Sequence, residues 1–308
     1  MSVTDGKFQQ ELVSSAFTRM PAIRSLLLVA ATALFSVPTI QAQVRLVGSD
    51  LMRPSLDALS ARGTGGVRFE AQLAGTQPAL ASLRAGEADA AIVLFAPTIQ
   101  PDFTGLLRAP LAFQAAVFVV SEGNPVTSLN SSQLRGIFGA DESIRINRWG
   151  EVGATGEWTN RPINVRSVTP RTTLAFDFFR NTVLTTPRMR SSLQTDDSVE
   201  ALFRALLQDT SSIGLSPVSP PSGSGLRSLA IAPVPGEAAF PPSLENINVG
   251  DYKHRMPLEI VYTAGRRDSL KPLLLILYSD EFAADLVASG LTPLPQQLRR
   301  QLIADLNR

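Results

Sequence analysis

From residue 44 the chain alternates short apolar runs with amphipathic stretches. VRLVGSD (44–50) predicts a strand closed by a Gly-Ser turn, with Ser49 or Asp50 capping the next helix and Pro54 in its first turn. VRFEAQLAG (67–75) shows the period-two alternation of a second strand. Thr76 then stands at a helix-cap position, and Pro78 suits a first helical position. Gly86 stops that helix and 90–95 reads as a third strand. Strand, short turn, helix and strand in succession imply a parallel sheet with right-handed crossovers.

Farther along, AAVFVVSE (115–122) is apolar enough for a strand buried on both faces. Asn130 or Ser131 caps a helix that places Leu134, Ile137 and Phe138 on one side. The polar stretch 145–162 is a loop. PINVRSV (162–168) is a strand leading through 169–173 into a helix with Phe176 and Phe179 inward. The run from Asp197 to Glu200 resembles a capping box ahead of ALFRALLQ, and 211–219 is another strand. Segments 220–225 and 233–242 read as loops, 257–265 as a strand, and 269–277 and 280–289 as helices, the second stopped by Gly290.

The first 42 residues follow a different pattern. Arg24 precedes an apolar stretch over 26–37 that Pro38 interrupts, and Ala42 offers a small residue for cleavage. That order is the one found in secretory signal peptides, with Met20 as the expected start and 1–19 as an upstream extension. An uncleaved membrane anchor is the alternative, although the stretch is short of the roughly 20 residues a membrane helix needs. Removing 1–42 takes three of the 28 basic and two of the 27 acidic side chains, so the mature chain is charge-balanced. A soluble exported protein is expected, without stable membrane insertion after cleavage.

Composition narrows the chemistry. There is no Cys and one His, His254. This excludes disulfides, thiolate nucleophiles, a Cys-linked lipid anchor and multi-His metal sites. The absent lipid anchor favours the periplasm of a double-membraned bacterium. A net charge of +1 argues against a nucleic-acid partner. The sequence has no G-x-S-x-G elbow and no metal-ligand spacing, so no catalytic residue, metal or cofactor is expected. His254 reads as structural or solvated, and Trp149 and Trp158 as packing residues with a sugar-stacking platform as the alternative.

Three strand-to-helix turns hold the candidate chemistry: Gly48-Ser49-Asp50, Gly75-Thr76-Gln77, and the segment Thr169, Pro170, Arg171, Thr172 and Thr173. Helix N-termini expose unpaired N–H groups and partial positive charge, and hydroxyls there can donate to an oxyanion. Ligands of open α/β sheets lie at the carboxyl ends of strands, where these turns fall. The competing reading of Ser49, Thr76 and Thr172 is that each caps its own helix.

Three segments carry a family resemblance. The first contains Asn124-Pro125, Leu129, Gln133-Leu134, Ile137-Phe138, and Trp149 with Glu151-Val152. The others are VRSVTPRTTLAFDFF (165–179), and YKHRMPLEIVY (252–262) with SDEFAADLVASGLTPLP (279–295). In order and spacing these resemble the PstS-like phosphate-binding proteins of bacterial ABC transporters. The resemblance implies a two-lobed α/β fold of the type II periplasmic binding proteins, with mixed and parallel sheets and a central cleft. Residues 44–118 with 245–308 would form one lobe and 119–244 the other. It also implies a periplasmic receptor for a small oxyanion, phosphate first, delivering it to an ABC permease. The implied ligand-binding set is Ser49, Asp50, Thr76, Gln77, Thr169, Arg171, Thr172 and Thr173.

The sequence departs from that pattern. Thr169 stands at the family's arginine, Arg171 comes two residues later, and Thr172-Thr173 replace Gly-Ser. Asp50 occupies a position where threonine is usual, and a carboxylate there repels an anion unless protonated or turned away. The family's acid after the third strand falls at 92–95, where there is none. Sulfate, a molybdate-like oxyanion or an organic ligand therefore stay open, as does an exported interaction or sensory protein that keeps the fold without transport.

Overall fold

The computed structural model describes residues 43–96, 101–170, 173–184 and 186–308. The proposed leader, 1–42, lies outside the described residues, as do Arg171 and Thr172.

The chain builds two lobes, each around its own sheet. The first begins with β1 (Val44–Gly48), α1 (Arg53–Arg62), β2 (Phe69–Gln72), α2 (Thr76–Arg84), β3 (Ala90–Leu94) and β4 (Leu106–Ala115). The second contains β5 (Val117–Ser121), β6 (Ser128–Asn130), α3 (Ser131–Phe138), β7 (Asn164–Val168), α4 (Ala175–Thr182), β8 (Gln194–Asp196), α5 (Val199–Gln208), β9 (Ser212–Ser216), β10 (Leu226–Ser228) and β11 (Ala230–Ala232). After α6 (Leu244–Val249) the chain returns through β12 (Arg255–Thr263) to the first sheet, then adds α7 (Arg267–Leu277), α8 (Asp280–Ala288), β13 (Thr292–Pro293) and α9 (Gln296–Leu306).

The first sheet runs β13-β4-β12-β3-β1-β2. β1 is parallel to β2 and β3, as the strand–helix–strand pattern predicts. β12 is antiparallel to both β3 and β4. β4 therefore runs in the direction of β1, β2 and β3, and all four carboxyl ends share one edge. The second sheet runs β10-β5-β9-β7-β8, and β11 pairs β6 separately. β3, β5 and β9 are buried at every position, which is what their unbroken apolar runs require.

Asn130 and Gln133 form a full capping box at the start of α3. At α5 the cap is one residue later than expected: the Ser198 hydroxyl accepts the N–H of Ala201, and Glu200 falls one place short of the reciprocating position. Trp149 is fully buried, its indole N–H donating to Ser211 O at 2.9 Å, and it packs edge-on to Trp158 with ring centres 6.4 Å apart. Both tryptophans anchor the polar loop to its lobe. β4, β6, β8, β10, β11, β13, α6 and α9 have no counterpart in the periodicity reading.

The two sheets are joined where Ala116 links β4 to β5 and where residues 252–254 lead into β12. Two hydrogen bonds tie these crossings together. The Tyr252 hydroxyl donates to Ala116 O at 2.6 Å, and the Ala116 N–H donates to His254 O at 2.9 Å. Tyr252 and His254 are both buried, which places His254 in the structural class expected of it. Among the described residues no helix is long and apolar enough to cross a membrane, and no cluster of three or more acidic or His side chains could hold a metal.

Candidate functional site

The shared carboxyl edge of the first sheet assembles the first two turns. Gly48 makes this possible. A Cβ there would meet Ile92 O at 2.4 Å, so only glycine lets the end of β1 approach β3 this closely. The Ser49 N–H then donates to Ile92 O, and the Gly75 N–H to Gly48 O, each at 2.9 Å. Gly75, at φ +103°, is the true cap of α2. Thr76 is instead its first residue. Its hydroxyl donates to Leu94 O at 2.8 Å and accepts from Leu94 N–H at 3.0 Å, pinning the end of β3. The reading of Thr76 as a side-chain cap is corrected accordingly.

The Ser49 reading as a cap holds: its hydroxyl accepts from Leu51 N–H at 3.4 Å, and it is buried. What these two turns present to a ligand is thus mainly backbone N–H at the first turns of helices. Asp50 and Gln77 are exposed. Arg53, on the first turn of α1, reaches Leu73 O at 3.5 Å and brings a cation to the same edge.

The third turn comes from the other lobe, at the carboxyl end of β7. Thr169 is half-buried there and its N–H donates to Asp196 O at 2.9 Å. Thr173 is buried, and its Oγ1 accepts two hydrogen bonds, from Ala175 N–H and from Gln114 Nε2, each at 3.1 Å. Gln114 sits at the end of β4, so this bond joins the third turn to the first sheet. The sequence reading missed Gln114, because it missed β4. The signal available was a single amide inside an otherwise apolar run, 109–120.

Between the lobes lies a cleft of about 820 Å³. Asp50, Leu51, Gln114, Val117, Glu200 and Val218 are among its walls, and of the described residues lining it none is basic. The Glu200 carboxyl is held below its ordinary range by hydrogen bonds from its own backbone N–H and then from Ser198. Residues 92–95 are buried and apolar, so no carboxylate stands at the end of β3.

No protein-family model matches the chain. It is 28% identical to protein SphX of Synechococcus elongatus over 149 residues, 47% of this chain and 43% of that one. It is 23% identical to the phosphate-binding protein PstS of Pseudomonas aeruginosa over 207 residues, 64% of this chain and 63% of that one. The matches thus span less than two thirds of these relatives' length. A solved structure of a possible phosphate binding protein from Planctomyces limnophilus superposes with a TM-score of 0.66, covering 88% of this chain and all of that chain at 16% identity. Part of the chain is thus similar in sequence to SphX and PstS, and its fold is that of the solved Planctomyces limnophilus structure. Its two lobes, mixed sheets and interlobe cleft make the two-lobed α/β fold that the three sequence segments implied.

Proposed function

We propose that this protein is an exported receptor that binds a small oxyanion, phosphate first, between its lobes and delivers it to an ABC permease. The observation that supports this best is the stitched edge at Gly48, Gly75 and Leu94, which gathers two helix-leading turns on one sheet, while Gln114 of that sheet is hydrogen-bonded to Thr173 at the end of the third turn. Helix-start amides bind anions without a full complement of charges. The PstS likeness adds the ligand class.

The proposed contacts are Ser49, Asp50, Thr76, Gln77, Thr169, Arg171, Thr172 and Thr173. Their contribution is chiefly backbone N–H, with Arg171 and Arg53 as cations. Asp50 must turn away from the anion, which its exposure allows. The proposed lobes are 44–118 with 245–308, and 119–244. Residues 1–42 serve as a cleaved leader, placing the mature protein in the periplasm without a lipid anchor. It acts by binding and closing, with no bond made or broken.

A thermal-unfolding panel tests this. Phosphate at a hundred times its dissociation constant should raise the unfolding free energy by about 2.7 kcal/mol. No response to phosphate, sulfate or molybdate would remove the receptor reading. It would leave an exported interaction protein, a role that the two carboxylates lining the cleft would suit.

A further inference from the structure

A second cavity, of about 300 Å³, lies apart from the cleft and shares none of its lining residues. Its walls come from α3, α4 and the second crossing, at Lys253 and His254. Arg135 and Lys253 both line it, and of the described lining residues none is acidic. Arg135 is half-buried and Lys253 exposed, so solutes can reach both.

Neither cation has an ion-pair partner among the described residues. Arg135 donates from Nη2 to the Ser132 hydroxyl at 2.6 Å, and the Lys253 ammonium donates to Gly250 O at 2.8 Å. A guanidinium carries five N–H donors and an ammonium three, so most of both sets is unspent. Two like charges around one small space repel each other, and an anion between them converts that repulsion into attraction.

The rest of the wall says what kind of anion. Ser131 opens α3 one turn before Arg135, on the same face, and its hydroxyl can donate. Phe178, Val183 and Pro233 supply apolar surface beside these polar groups. A bare inorganic oxyanion leaves that surface unused. The volume lies at the lower end of the range for small-molecule pockets, about 300–1,000 Å³. We propose that this cavity binds a small organic anion, a carboxylate on a short apolar body. The carboxylate lies between Arg135, Lys253 and the Ser131 hydroxyl, and the body lies against Phe178, Val183 and Pro233. Charge-assisted hydrogen bonds from the two cations supply most of the affinity. The proposal is independent of the receptor reading, since nothing in it requires the cleft to hold an anion.

His254 provides the probe. Its ring lines the cavity, is 4% exposed, and is too enclosed to hold the ligand itself. It is also the sole histidine of the chain, so its ring proton signals are identified without assignment. The test is a proton NMR titration of the purified, untagged protein near pH 7 with butyrate and, separately, acetate. Butyrate should move the His254 signals to a saturating limit, and should bind at least about threefold tighter than acetate because it buries two further CH₂ groups. Arg135→Gln should weaken butyrate about tenfold or more and Lys253→Gln about threefold or more, whereas Arg135→Lys keeps the charge and should lose less than Arg135→Gln. Should Arg135→Gln unfold, the exposed Lys253→Gln carries the comparison alone. With the protein first saturated with phosphate, the butyrate response should persist, because the two sites share no residue. No saturable movement with butyrate would overturn the proposal, as would affinity unchanged in the folded variants, acetate equal to butyrate, or a response abolished by phosphate.

Discussion

Single atoms decide much at the strand ends. Replacing Gly48 with alanine puts a methyl group 2.4 Å from Ile92 O, and backbone cannot yield as a side chain tip would. G48A should cost about 1–3 kcal/mol in urea unfolding and weaken phosphate binding as well, because it pushes β1 from β3. His254 makes a second residue-scale prediction. It is buried between the edges of Phe118 and Tyr252, its Nε2 has no partner, and burial lowers its pKa to about 4 from 6.5. Arg135 and Lys253 line the same small cavity, and of the described residues lining it none is acidic to favour the charged ring. Between those two values the unfolded chain holds the proton that the folded chain refuses. Stability is therefore full above about pH 6.5 and falls with pH, by up to about 3 kcal/mol at pH 4 and below. H254Q should flatten that slope in denaturant titrations taken across pH 4–7. An unchanged slope would mean that other groups set it.

The elements that periodicity reveals are those whose burial is uniform or cleanly alternating. β3, β5 and β9 are buried throughout and read directly from their apolar runs. α3 is legible through its cap, where Asn130 and Gln133 exchange hydrogen bonds. N130A should cost about 1 kcal/mol, measured by thermal unfolding. β4 was hidden by Pro110. Proline is excluded from most interior strand positions, yet Pro110 sits at a register shift: Leu258 pairs Ala112, Glu259 pairs Pro110, and Leu111 is the extra residue. Such a bulge depends on the partner strand, which lies some 150 residues away and leaves no local trace. Losing β4 also hid Gln114. α6 is too short for helical periodicity to register. The hydroxyl positions were legible, but their roles were not. Thr76 fits a cap by sequence, and only the neighbouring strand shows that its hydroxyl serves Leu94 instead.

At the scale of the molecule, the two crossings between the sheets are tied to each other. They touch through Tyr252 to Ala116 and Ala116 to His254, and both bonds are buried. Burial raises the Tyr252 hydroxyl pKa well above its usual value, so it stays a donor at any physiological pH. Y252F leaves the Ala116 carbonyl without that donor and should cost about 1–3 kcal/mol in unfolding. On the proposed receptor function, a ligand would favour the closed arrangement over the open one to the extent that it touches both lobes. The most direct measurement is isothermal titration of the purified protein with phosphate. One saturable site per chain is predicted, weakened by Thr173→Val and by Gln114→Leu. Absence of any saturable binding, to phosphate or to sulfate, would contradict the claim that these strand ends form an anion site.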